Sequence, residues 1–185
     1  MMSNSLTLYP YRPAANRFES IRLRDEDREI IRIRNLQSPI ASQWKTLTVR
    51  EFSDNLQVGD FPSLTDYNGI PVFSVRAWET LAELLGDYCE PLPIKLPSGI
   101  IYFLVHVTAI VACLDEQRSE IRRSQVDGRI SRVFRYAFNE RYRDRPIFKL
   151  PTECGGELIV NSQFKECVEA NCLRGLSFTP LPIIA

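Results

Sequence analysis

A strand, a side-chain cap and a helix follow one another twice in this chain, and that repeat constrains the fold more than any other feature. In the first copy Ile70, Val72 and Phe73 read as a short strand. Ser74 follows, with a hydroxyl that can accept from the exposed N–H groups of a helix start. Val75, Trp78, Leu81 or Ala82, and Leu85 recur three or four residues apart, which places them on one helix face. Arg76, Glu79, Thr80 and Glu83 fall on the wet side. Gly86 stands where a helix closes in the left-handed conformation. In the second copy Leu158, Ile159 and Val160 form the strand and Ser162 the cap. Phe164, Cys167, Val168 and Cys172 form the stripe, and Gly175 closes the helix before Leu176 and Phe178 resume a strand. Two such units predict two helices packed on one sheet.

Between them the pattern is β. Pro91-Leu92-Pro93 restarts an extended chain. Leu92 to Leu96 and Ile100 to Val107 flank Pro97-Ser98-Gly99 and pair as a hairpin. Ile100 to Val107 is apolar on both faces, the mark of a covered central strand. Asp127-Gly128 signals a second hairpin, and Ile147 to Leu150 a further strand. Upstream, Gln43 to Val49 alternates like a strand. Ser20 to Leu36 fits a helix through Ile30, Ile33 and Leu36, or a strand through Ile31 and Ile33. The acids Asp25, Glu26 and Asp27 favour the helix. Residues 1–19 are polar and proline-bearing, and read as a loose lead-in. The expected fold is α+β: a mostly antiparallel sheet carrying two or three helices, with residues 1–185 in a single domain.

Charge excludes some partners and leaves others open. The net charge is zero, so nothing pulls the whole chain towards nucleic acid or an acidic membrane. Residues 51–100, however, carry two bases against eight acids, and residues 116–149 carry ten bases against five acids. Within 118–145, arginines interleave with Phe134, Tyr136, Phe138 and Tyr142. Such a hairpin can hold single-stranded nucleic acid, yet Glu120, Asp127, Glu140 and Asp144 are spaced to pair with many of the arginines. A solvated, ion-paired β face is the expectation, and a nucleic-acid-binding module is the alternative.

Chemistry is sparse. His106 is the only histidine, so no multi-histidine metal site exists, and it lies among apolar residues as a hydrogen-bonded core histidine would. An enzyme centred on His106 and Asp115 would need both side chains in one concavity. No phosphate-cradling loop or EF-hand spacing occurs, so no catalytic, cofactor-binding or metal-binding residue is assigned. The five cysteines include no CxxC pair. The start of the chain lacks a secretory signal, and Ile100 to Val107 is too short to span a bilayer. The expected setting is the cytoplasm, with no membrane contact.

From about Trp44 to Leu181 the chain resembles a family of bacterial immunity proteins, number eleven among the immunity families encoded beside polymorphic toxins. The residues that carry the resemblance begin with Trp44, Asp66-Tyr67 and Pro71-Val72-Phe73-Ser74. Ala77, Leu81, Leu85, Leu92-Pro93, Tyr102, Leu114-Asp115 and Ser119 follow. The last block is Ile147-Phe148, Leu158-Ile159-Val160, Ser162, Phe164, Val168, Gly175 and Phe178. The resemblance implies a protein without catalytic activity that binds a cognate secreted toxin, in a 1:1 complex, and so protects the producing cell and its kin. If that toxin is basic, the acidic segment from residue 51 to 66 is the natural face to meet it, with Glu51, Asp54 and Asp60 as the candidate contacts. Asp66 fits a structural cap or turn.

Overall fold

The computed structural model describes residues 7–51, 56–65, 69–154 and 156–184. Strands β1 (Leu8–Pro10) and β2 (Ser20–Arg22) precede 3-10 helices at Asp25–Asn35 and Ala41–Gln43. Then come β3 (Leu47–Thr48), β4 (Arg50–Glu51), β5 (Ser63–Leu64) and β6 (Val72–Ser74), which runs directly into α1 (Val75–Leu85). Two hairpins follow, β7 (Cys89–Lys95) with β8 (Ile101–Val107), and β9 (Glu120–Arg123) with β10 (Ile130–Arg135). β11 (Ile147–Lys149) and β12 (Leu158–Asn161) lead into α2 (Ser162–Ala170). The sheets run β3-β7-β8-β6, β1-β12-β11, β4-β2-β5 and β10-β9. Their pairings are antiparallel except β2 with β5 and β3 with β7. The fold is α+β and mostly sheet, as the sequence leads one to expect.

Period-two alternation assigns the core. On β8, Tyr102 and Leu104 face a cluster built with Ile21, Leu23, Val49, Leu92 and Ile94, while Val105 and Val107 face the helices. The strand is therefore covered on both sides. β6 divides likewise, Val72 to one cluster and Phe73 to the other. On β12, Leu158 and Val160 face the helices and Ile159 faces a third cluster with Leu8, Val111, Tyr136 and Phe148. Pro91 and Pro93 cost β7 little, because that stretch has no strand on its outer side: β3 meets β7 only at Ile94 and Lys95. Trp44 Nε1 donates to the Pro93 carbonyl there at 2.9 Å.

The structure changes several local readings. Ser74 caps α1 by accepting from the Ala77 N–H at 3.0 Å, but the buried face is Ala77, Leu81 and Leu85, and Val75 is exposed. Helix α1 follows a strand whose sheet lies beneath it, and the first residue after the cap points away from that sheet. Gly86 is right-handed, with φ −53°, so no left-handed turn closes this helix. In the second unit Asn161, one residue before Ser162, is the cap and accepts from the Phe164 N–H at 3.0 Å. The helix ends at Ala170, and Cys172 beyond it is exposed and left-handed at φ 52°. Gly175 has another purpose: at φ +117° it brings the chain so near Phe61 that a Cβ would stand 3.3 Å from the Phe61 nitrogen.

The two helices do not lie on one sheet. They follow strands of different sheets and share one core, because β1 and β11 flank β12 and keep it off β8. The lead-in expected to be loose is strand-paired: Leu8, Tyr9 and Pro10 pair with Asn161, Val160 and Ile159. Leu8, Tyr9 and Tyr11 are buried, so the apolar side chains in that stretch outweigh its prolines. Residues 25–35 are helical, wound as 3-10, with β2 in front of them.

Candidate functional site

The acidic segment divides at once. Glu51 is exposed on β4, opposite Ile21. Asp54 lies outside the described residues. Asp60 is buried, and its carboxylate is used internally. Oδ1 accepts from Ser74 Oγ and Oδ2 from the Arg174 N–H, each at 2.9 Å. Arg76 stands 3.6 Å from Oδ2. The main chain repeats the link: the Asp60 N–H donates to the Arg174 carbonyl at 2.7 Å and the Ser74 N–H to the Asp60 carbonyl at 2.8 Å. One carboxylate thus joins the cap of α1 to the segment after α2. The next-door Gly59 is required by closeness, since a Cβ there would come within 2.7 Å of the Phe18 ring.

Tyr102 on β8 ties Glu51 and Asp60 to one neighbourhood. Its hydroxyl donates to Glu19 Oε1. Burial raises the phenol's pKa well above its ordinary value, and the charges of Glu19, Glu51 and Asp60 raise it further. Local pattern does not join Glu19 to Tyr102, because β2 and β4 belong to one sheet and β8 to another, and only tertiary packing brings them near one another. Glu19 is 83 residues from Tyr102 along the chain.

His106 is fully buried and hydrogen-bonded at both nitrogens, to Glu90 Oε1 at 2.8 Å and to the Leu36 carbonyl at 3.1 Å. Glu90 also accepts from the Ile40 and Ala41 N–H groups at 2.5 and 3.0 Å. Burial works against the Glu90 carboxylate, but these hydrogen bonds outweigh it and hold its pKa below the usual range. The group fastens residues 36–41 to the β7–β8 hairpin. Asp115 belongs to a different environment: it accepts from the Gln117 and Arg118 N–H groups at 3.1 and 3.2 Å, and its carbonyl accepts from Ser119 Oγ at 2.6 Å. The structure does not bring His106 and Asp115 into one concavity.

In the 118–145 region the aromatics turn inward and the charges outward. Tyr136 and Phe138 stack at 5.4 Å, Phe138 meets Tyr142 at 5.5 Å, and Tyr142 meets Phe148 at 6.0 Å, closing the third cluster. Phe134 alone of the four predicted aromatics is exposed, with the Arg132 guanidinium 5.0 Å over its ring. Arg123 pairs with Glu116, Arg135 with Glu120 at 3.0 Å, and Arg143 with Glu140 at 2.7 Å. A base-stacking platform needs its rings on the surface, and here three of the four rings pack against the third cluster. Among the described residues no group of three or more His, Cys, Asp or Glu could hold a metal, and no helix is long and apolar enough to cross a membrane.

Residues 92–181 match the model of the Immunity protein family (Imm11). The match runs from the β7–β8 hairpin through α2 and stops near the last bridge of the chain. It points to an immunity function. No curated protein matches the chain.

Proposed function

We propose that this protein neutralises a cognate secreted toxin of a polymorphic toxin system by binding it, without catalysis, in the cytoplasm of the producing cell. The family match over residues 92–181 carries this reading. The geometry agrees with it: Asp60, Glu90, His106 and Asp115 are spent on internal hydrogen bonds, as suits a binding protein. A specific 1:1 complex would bury about 1,200–2,000 Å² in total. Glu51, which is exposed, and Asp54 supply acidic contacts for a basic toxin and speed encounter. Asp60 acts indirectly, by fastening the end of this segment to the cap of α1 and to Arg174.

The test is survival. The candidate toxin from the neighbouring reading frame is expressed in a susceptible bacterium with and without this protein. Rescue by the protein, with a stable complex on purification, is expected. Killing that continues in the presence of folded protein overturns the reading. Replacing Glu51 with lysine is expected to slow association about tenfold at low salt, with a smaller effect at high salt.

A further inference from the structure

Beside Asp60 the surface reverses the usual order of a protein exterior. Val58, Val75, Ile100 and Ile101 are between 37% and 66% exposed, and all four line one concavity of about 460 Å³. They come from three places in the chain: the acidic segment just before Asp60, the first residue of α1, and the start of β8. Further along the same helix and strand, Trp78 and Phe103 are partly buried, with ring centroids 6.2 Å apart. Local structure explains why these side chains remain outside. Val75 sits on the outer side of α1's first turn, and Ile101 shares the β8 face of Phe103 but lies beyond the end of the helix that covers Val105.

The charge of the concavity is also sorted. Its carboxylate, Asp60, is buried and satisfied by Ser74, the Arg174 N–H and Arg76. The exposed charges on its wall are the guanidiniums of Arg76 and Arg174. Arg76 is held in place by donating to the Asn171 carbonyl at 2.7 Å. An aliphatic floor with a cationic rim fits an apolar side chain whose chain carries a carboxylate close by. Exposed apolar patches of this kind on a folded protein mark sites of association, and a buried apolar anchor commonly dominates such an interface.

We infer that the Val58–Val75–Ile101 groove is a docking site for a protein segment that presents an aliphatic or aromatic side chain followed within a few residues by Asp or Glu. It rests on the immunity reading in taking that segment to belong to the toxin. The groove anchors, while Glu51 steers.

Two arms keep the groove and the immunity reading apart. Random twelve-residue peptides displayed on phage are panned against the whole protein and counter-selected on the double variant Val75→Asp, Ile101→Thr. Both changes are at exposed positions, an acid suits the first turn of a helix, and threonine keeps a branched side chain in the strand. Enrichment of apolar–acidic peptides is expected, with synthetic copies binding the wild type at least tenfold more tightly than either the double variant or Arg174→Glu. No enrichment, or equal binding to all three proteins, overturns the groove. A wild-type dimer that the double variant converts to monomer also overturns it, because the occupant is then a second copy of this chain. In the toxin arm, groove variants that bind the toxin like wild type remove the groove and leave the immunity reading standing. A toxin that fails to bind wild type removes that reading, and the groove is then decided by the peptides.

Discussion

The arginine-rich hairpin and the Asp60 groove carry similar ingredients in opposite arrangement. In the hairpin region Tyr136, Phe138 and Tyr142 go inside, and Arg123, Arg135 and Arg143 pair with acids in solvent. Around Asp60 the carboxylate goes inside and the aliphatic side chains of Val58, Val75, Ile100 and Ile101 remain outside. The first arrangement lowers free energy for an isolated chain. The second leaves apolar surface in water and uses hydrogen bonds to hold a charge below it. A region stabilised for its own sake and a region shaped for contact with something else are thus distinguishable without reference to charge or composition, which point towards the hairpin.

The largest effect expected from this contrast is in the hairpin's aromatic layer. Tyr136→Ala empties a buried, stacked position and should cost about 3 kcal/mol or more by denaturant unfolding, whereas Phe134→Ala, two residues earlier at an exposed position, should stay within about 0.5 kcal/mol. Equal costs would mean that the aromatics do not divide into inner and outer sets. Next comes Asp60→Ala, which leaves the Ser74 hydroxyl and the Arg174 N–H without their acceptor. A loss of roughly 1–3 kcal/mol is expected, and Asp60→Asn, which keeps one carbonyl oxygen, should lose less. A stable Asp60→Ala protein would show that the carboxylate is not a structural node. A smaller effect than that of Asp60→Ala belongs to Arg135→Ala, which removes a cross-strand pair at 3.0 Å whose partners are both about half exposed. Its cost should fall below about 1 kcal/mol and shrink further in high salt. A larger, salt-insensitive loss would make the hairpin's charges structural too.

How much of this was legible beforehand follows the separation of the residues involved. The β7–β8 hairpin could be read because its turn and its alternation lie within a short stretch. The Ser74 cap could be read because its acceptor and donor are three residues apart. The second cap was misplaced by one residue, since Asn161 and Ser162 are both capable and only the geometry of β12 selects between them. Val75 was assigned inward because helical spacing tells which residues share a face, and not how wide the sheet beneath extends. His106 was legible as a buried hydrogen-bonded residue, but its partners Glu90 and Leu36 were not. Asp60 reads locally as a surface acid but is hydrogen-bonded to a residue 114 positions away, a relation that no local pattern encodes.

By itself the sequence determined the class of fold, the two strand–cap–helix units and both hairpins, because each rests on turn chemistry, capping and periodicity over a few residues; the family resemblance rests separately on the order and spacing of residues from about Trp44 to Leu181. Only the tertiary structure decided that the helices share a core while following different sheets, that β1 closes the sheet around β12, and that Val58, Val75, Ile100 and Ile101 gather above a buried carboxylate. Those outcomes depend on which faces remain uncovered once all elements have packed, and burial is a property of the whole assembly of elements, not of any one segment.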